Sequence, residues 1–428
     1  MSNSIEIQPI TGPIRACVRP PGSKSITNRA LVCAALADGT STLRGALDSE
    51  DTRVMIEGLG RLGIEVEVGD AGRTLVVRGQ AGLIPALEAD LHCANSGTTI
   101  RFLTALATLG HGAYCLDGVP RMRERPIADL LDGLNQLGAH AATEHGNGCP
   151  PVIVHANGLP GGAARIRGDI SSQYLSGMLL TAPAAQAAVE LTIEGPLVSQ
   201  PYVLMTLAVL KAFGVDVDTT TALDSFRIAA PQSYTAREYA IEPDASAASY
   251  FWAVAAITGG EVTVEGLSAA SLQGDVAFVD CLEQMGCQLR READSITVAG
   301  RPLSGIDVDM NAISDTVQTL AVVALFAKGE TTIRNVAHIR HKETDRIAAL
   351  AAELRKLGAD VTEREDGLSI RPGTLRTATI DTYDDHRMAM SFALAGLRVA
   401  GVRINDPDCT EKTYPAFFDD LAAATHQH

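Results

Sequence analysis

Six times along its 428 residues the chain repeats one pattern, and no other feature restricts its fold as much. Each copy opens with small polar residues and runs on as an apolar helix of Ala, Leu and Val. It then meets a Gly and closes in a short β-patterned stretch. The copies begin at Ser23, Asn95, Ser171, Asp244, Ser314 and Asp385, with successive offsets of 72, 76, 73, 70 and 71 residues. Independent insertions would scatter such offsets, so one duplicated unit is the economical account. The first five copies also share a second helix ending in an apolar–Gly–apolar signature: LGRLGIEV, LNQLGA, LKAFGVDV, LEQMGC and LRKLGADV. A Gly at that place fits a left-handed C-cap. Alternating stretches such as TLVVRG (Thr74–Gly79), PVIVH (Pro151–His155) and SITVAG (Ser295–Gly300) then read as strands. The sixth copy is degenerate and ends in the weaker helix TYPAFFDDLAAA, Thr413–Ala424.

Each copy is thus a βαβαββ unit whose first helix is too apolar on every side for a surface. Three units can bury those helices against one another under a shell of sheets, and six make two such bodies. The expected fold is α/β (α+β) and inside-out: two domains of three βαβαββ repeats each, helices buried and sheets outward. QSYTAREYAIEP (232–243) lies between repeats three and four and is the expected crossover. The strand pattern IEIQPI precedes repeat one, which places a second crossover near IRACVRPPG (14–22). The domains then comprise residues 1–22 with 242–428, and 23–241, joined by two adjacent strands suited to a hinge.

Composition limits the partners. Apolar content of 46% and charged content of 20% are ordinary for a soluble globular protein. A formal net charge of −16 argues against nucleic acid. If the ligand is also anionic, cations must be gathered locally. The N-terminus has neither a basic region nor a long apolar core, so no secretory signal is read. Apolar runs such as Leu320–Ala327 are too short to span a bilayer. Eight cysteines, with no C-x-x-C pair, read as buried reduced thiols of a cytoplasmic protein.

Chemistry collects at the helix starts, where N–H groups without partners and the helix dipole favour anions. HKETDRI (341–347) packs Lys342, Glu343, Asp345 and Arg346 just ahead of an apolar-periodic run, with Thr344 or Asp345 as the N-cap. One such cluster is ordinarily a capped surface helix, but the other helix starts are built alike. Repeat one offers Lys24, Ser25 and Arg29 after a Pro–Gly turn. Repeat two offers Asn95, Gly97, Thr98 and Arg101, then PRMRERPI with Arg121, Arg123 and Arg125, three arginines that suggest an anion clamp. Repeat three offers Ser171, Ser172 and Gln173, then Ser199 and Tyr202. Asp244 and Ser246 of repeat four read as ordinary caps. Repeat five adds Ser314 and Asp315, and repeat six His386, Arg387 and Lys412. His386 has no second His at metal-ligand spacing, and neither a GKS/T loop nor a dinucleotide fingerprint is present. So many cations imply substrates with several negative charges. Asp315 and Glu343 among them imply proton transfer, since neutralising an anion does not require carboxylates. Hydrolysis and group transfer between two anionic substrates both remain open at this level.

PGSKSITNRA, NSGTTIR, PRMRERPI, SSQYLSG, DASAASYF, HKETDR, DDHRMAM and CTEKTY together resemble the 5-enolpyruvylshikimate-3-phosphate synthase family, in order and over nearly the entire chain. The resemblance implies two domains of three βαβαββ units and an active site in the cleft between them. It implies transfer of the enolpyruvyl group of phosphoenolpyruvate to the 5-hydroxyl of shikimate 3-phosphate by addition and elimination, without metal or cofactor. Carried over by position, Lys24, Ser25, Arg29, Ser171, Ser172, Gln173, Ser199, Tyr202, Asp315, His338 and Lys342 hold shikimate 3-phosphate. Lys24, Asn95, Gly97, Thr98, Arg125, Gln173, Arg346, Arg387 and Lys412 hold phosphoenolpyruvate. Asp315 is the base, Glu343 the acid toward the methylene carbon, Lys24 a further proton-transfer candidate, and His386 lies near the departing phosphate. A monomer acting on small anions in the cytoplasm is implied, with no nucleic acid or membrane partner.

Two departures stand out. His338 in HIRHKE replaces an Asn common in the family, and Phe102 in NSGTTIRF replaces a Pro. The enolpyruvyl transferases acting on UDP-N-acetylglucosamine are a weaker match, because their loop before Arg–Pro carries a reactive Cys and 119–127 has none. Cys115, in the preceding strand pattern, is expected to be buried. A rival of another class is a non-catalytic binder of organic phosphates, which would not need both Asp315 and Glu343.

Overall fold

The computed structural model describes residues 3–426. The chain forms two compact units, one spanning Gly22–Ile241 and the other taking the chain up to Pro21 together with that from Glu242 on. We call them the central and the terminal unit.

In the central unit three sheets cover three helices, Lys24–Leu36, Gly97–Ala107 and Ser172–Thr181. Every residue of Gly97–Ala107 is buried, as the all-round apolar pattern requires. The repeat-two sheet shows the unit's logic. Glu88–His92 pairs in parallel with His111–Asp117, which the Gly97–Ala107 helix connects, and Val152–Asn157 and Ala141–Thr143 follow in antiparallel order. Outward sheets show clean alternation: in Val189–Glu194, Val189, Leu191 and Ile193 are buried while Glu190, Thr192 and Glu194 are exposed.

The terminal unit repeats this around Ala245–Thr258, Val317–Val323 and His386–Gly396. Its first sheet is completed by a strand from far upstream, Arg15–Val18, lying parallel to Glu261–Glu265. Reciprocally, Tyr234–Thr235 and Glu238–Ala240 lie parallel to Ala37–Arg44 in the central unit. In the degenerate sixth repeat Ser4–Glu6 pairs antiparallel with Arg403–Asn405 and Thr379–Ile380 lies on its other side. That sheet has three strands, not four. The five signature glycines, Gly63, Gly138, Gly214, Gly286 and Gly358, all have φ between 82° and 116°, the conformation that favours Gly over any L side chain.

Three expectations need correction. The repeat-five helix is not one continuous segment from Ser314. A 3-10 stretch Asn311–Thr316, kinked at Ile313, precedes only seven α-helical residues, and a second 3-10 turn, Ala324–Phe326, follows. Asp315 is bonded to cations and is not available to cap, and the β-branched Val317, Val322 and Val323 add little helix propensity. The final helix begins at Phe417, not Thr413, after the 3-10 stretch Pro407–Lys412. Of the eight free cysteines only Cys33, Cys93, Cys281 and Cys287 are buried; Cys17 is exposed and the others, Cys115 included, are half-buried. Cys115 alternates with the buried Tyr114 and Leu116 on its strand and so faces the outer side. Among the described residues no helix is long and apolar enough to cross a membrane.

Candidate active site

In the central unit the first turn of Lys24–Leu36 is capped by Ser23, whose Oγ accepts from the Ile26 N–H. Lys24 and Ser25, in that first turn, are half-buried. The Lys24 ammonium lies 3.1 Å from a buried carboxylate oxygen of Asp51, in the first turn of Glu50–Arg61. Arg29 is 1% exposed and donates to Thr206 Oγ1 (2.8 Å), the Ser25 carbonyl (2.9 Å), and Ser176 Oγ and the Tyr202 carbonyl (both 3.2 Å). Its guanidinium lies 5.3 Å from the centroid of Phe102, so the residue in place of the family's Pro packs under this cation. Burial pulls Arg29 down to about 10.

Repeats two and three meet at a second group of side chains. Arg125 Nη1 donates to the Asn95 carbonyl at 2.8 Å and to its Oδ1 at 3.2 Å. Gln173 Oε1 accepts from Arg101 at 2.5 Å while its Nε2 donates to Thr98 Oγ1 at 3.1 Å. Gly97 is needed for this fit: a Cβ there would stand 2.5 Å from Arg125 Nη2 and 2.7 Å from Arg101 Nη1. Ser171 caps its helix through the Gln173 N–H, and Ser172 is buried in the first turn. Ser199 sits at the start of Gln200–Ala212 with φ 52°, an uncommon value for a residue with a side chain, and makes no side-chain cap bond. The three-arginine clamp is not built. Arg121 pairs with Glu124 and Arg123 with Asp117 at the surface, and only Arg125 turns inward. The 3-10 turn Met122–Glu124 aims the three side chains in different directions.

The terminal unit holds a denser array. Asp315 Oδ1 lies 2.5 Å from Lys342 Nζ and 3.4 Å from Arg346 Nη1, and its Oδ2 accepts from Arg387 Nη2 at 2.8 Å. Asp345 is the N-cap of the Arg346–Lys356 helix. Arg346 is 1% exposed and donates to Glu343 Oε2 (2.8 Å) and to both oxygens of Asp385 (2.7 and 3.2 Å). Lys412 Nζ stands 3.9 Å from Glu343 Oε1. Asp385 also caps the His386–Gly396 helix, and His386 Nδ1 lies 3.7 Å from its Oδ1. Burial opposes the charge on Arg346, but Asp385, Glu343 and Asp315 outweigh it and hold the guanidinium above its ordinary value. Lys342 is lowered by burial, only partly offset by Asp315. His338, on the 3-10 turn Ala337–His341, is pushed by burial down to about 3 and is neutral near pH 7, with one N–H to donate.

The structure thus groups Lys24 with Asp51, and Asn95, Thr98, Arg125 and Gln173 around Gly97. It groups Asp315, Lys342, Glu343, Arg346, Arg387 and Lys412 around the repeat-five and repeat-six helix starts. Asp51 and Asp385 complete these groups although the sequence reading gave them no role, and Arg101, offered at the repeat-two helix start, joins through Gln173. For Asp385 the signal was the doubled acid in DDHR at a helix start; nothing in the sequence marks Asp51 as the partner of Lys24. Among the described residues no group of three or more His, Cys, Asp or Glu is placed to hold a metal ion.

Comparison with known proteins follows the same lines. The model of the EPSP synthase (3-phosphoshikimate 1-carboxyvinyltransferase) family matches residues 9–421. A 3-phosphoshikimate 1-carboxyvinyltransferase from Nostoc punctiforme is 49% identical over 417 residues, covering 97% of this chain and 98% of its own. The chloroplastic protein of that name from Arabidopsis thaliana is 48% identical over 442 residues, covering 99% and 85%. The solved EPSP synthase from Acinetobacter baumannii superposes with a TM-score of 0.82 at 27% identity, covering 98% of each chain.

Proposed function

The chain belongs to the EPSP synthase family, and on that premise we propose that it transfers the enolpyruvyl group of phosphoenolpyruvate to the 5-hydroxyl of shikimate 3-phosphate. The reaction releases phosphate and leaves an enol ether. The observation that carries the reading is two carboxylates, Asp315 and Glu343, set among four cations of the terminal unit. Cations alone would serve a binder, whereas carboxylates in their midst serve proton transfer.

In the addition step Asp315 takes the hydroxyl proton as the oxygen attacks C2 of phosphoenolpyruvate, and Glu343 protonates the C3 methylene. The product is a tetrahedral phosphate ketal with a new methyl group. In the elimination step Glu343 recovers a proton from that methyl, the C2–O bond to phosphate breaks, and the double bond re-forms. The proton held by Asp315 leaves with phosphate. Arg346, Arg387 and Lys412, with Lys24, Gly97, Asn95, Thr98, Arg125 and Gln173 of the central unit, hold phosphoenolpyruvate, and His386 stands near the leaving phosphate. Ser25, Arg29, Ser171, Ser172, Ser199, Tyr202, His338 and Lys342, again with Lys24 and Gln173, hold shikimate 3-phosphate. Lys24, tethered to Asp51, also balances charge during proton transfer. The chain works as a cytoplasmic monomer.

Phosphate release on mixing the two substrates tests this, with UDP-N-acetylglucosamine as the contrasting acceptor. Glu343→Gln should lower kcat by about 10²–10⁴ while both substrates still bind. Normal turnover by that variant removes the proposed acid, and binding without phosphate release by the unaltered protein returns the reading to a non-catalytic phosphate binder.

A further inference from the structure

The Arg346–Lys356 helix grips the approach to the repeat-six helix at two places. Its first residue, Arg346, donates to both carboxylate oxygens of Asp385. Two turns further along the same face stands Glu353, fully buried and without a part in the chemistry above. Glu353 Oε1 accepts from the Tyr383 hydroxyl at 2.7 Å. Its Oε2 accepts from the Asp381 N–H at 3.1 Å and lies 2.8 Å from Lys356 Nζ. Lys356 in turn donates to Asp381 Oδ2 at 2.7 Å, and Asn405 Nδ2 donates to Asp381 Oδ1 at 2.8 Å.

Between the two grips the backbone is strained. Tyr383 and Asp384 have φ of 57° and 55°, successive left-handed values that side chains disfavour. Such a pair persists only where its surroundings over-determine it. It also aims the residues that follow. Asp385 caps the next helix, His386 stands against that cap, and Arg387 reaches Asp315. Burying a carboxylate is costly, and the bonds of Glu353 go to this turn and to the lysine that grips it.

We propose that Glu353 is a positioning residue for the reaction. Its clasp on Asp381 and Tyr383 sustains the left-handed pair, and so sets where Asp385 meets Arg346 and where Arg387 is held. This rests on the reading of Arg346 and Arg387 as ligands of phosphoenolpyruvate.

Two substitutions separate positioning from packing. Glu353→Met fills a similar space and makes neither bond. Glu353→Gln can keep both, accepting from the Asp381 N–H and donating to the Tyr383 hydroxyl oxygen. In steady-state phosphate release Glu353→Met should raise the KM for phosphoenolpyruvate about tenfold, and leave that for shikimate 3-phosphate near the parent's. Glu353→Gln should recover most of the loss. Hydrogen–deuterium exchange at the amides of residues 385–388 should be faster in Glu353→Met than in the parent or in Glu353→Gln. The proposal is overturned by an unmoved KM for phosphoenolpyruvate in Glu353→Met, by an equal rise in both KM values, or by an equal rise in Glu353→Gln. If Glu353→Met does not fold, Tyr383→Phe at its exposed position decides. A rise of about threefold in the phosphoenolpyruvate KM alone supports the clasp, and none overturns it. Failure of the unaltered protein to release phosphate would overturn the proposed function instead, and exchange at 385–388 would still decide whether Glu353 holds the turn.

Discussion

His338 illustrates how a single side chain ties acid stability to the site. Folded, it resists protonation down to about pH 3 because burial and then Lys342 oppose its charge, whereas the unfolded chain protonates it near 6.5. Between those values the unfolded state binds more protons, so stability rises with pH across the window and is lost as pH falls from 6.5. The loss attributable to this residue is on the order of 2 kcal/mol at pH 5. His338→Asn should therefore flatten the fall in Tm between pH 7 and pH 5 and change Tm little at pH 8. An equally steep fall in the variant would remove His338 as the cause. Residue types at this scale were readable from sequence, but partners were not. Lys24 was evident from PGSK, whereas Asp51, which holds it, lies in an ordinary-looking SEDTR helix start.

Among the elements, helix starts do two jobs that compete. Where a dedicated cap is present, as with Ser23, Ser96, Ser171, Asp244, Asp345 and Asp385, the helix begins cleanly. Asp385 caps while also holding Arg346, whereas Asp315 is drawn to three cations and caps nothing, and there the chain opens in a 3-10 stretch. Repetition made the helices legible, since period and apolar content report burial directly. The fraying was not legible, because it depends on Lys342 and Arg387, which lie far along the chain. Gly97 opens the repeat-two helix with two guanidinium ends against it. Gly97→Ala should raise the KM for phosphoenolpyruvate about tenfold (~1.4 kcal/mol). Its Tm should stay near that of the parent, because flexible side-chain ends can give way. Steady-state kinetics beside a thermal melt would check both halves, and an unchanged KM would count against the role given to Arg125.

For the whole molecule, the two units differ in how the chain supplies them. Every strand of the central unit lies within Gly22–Ile241. The terminal unit borrows Arg15–Val18 and Ser4–Glu6 from before that segment. A fragment of residues 22–241 should melt cooperatively on its own. A fragment of 242–428 should aggregate, because the edges of Glu261–Glu265 and Arg403–Asn405 are left bare. Sedimentation and circular dichroism of the two fragments decide this, and a soluble, folded 242–428 would show the borrowed strands to be dispensable. The sequence reading puts the crossovers at 14–22 and 232–243, from a repeat count that leaves one strand pattern too many at the start. The sheet that Ser4–Glu6 would join was not visible, since three residues carry no pairing code.

Those borrowed strands also set an order of assembly at the ribosome. Ser4–Glu6 emerges long before its neighbour, Arg403–Asn405, has been made. Residues 22–241 have all their own strands long before that. Ser4–Glu6 must therefore stay unpaired until Arg403–Asn405 follows, and one unit matures while the other waits for its closing strand.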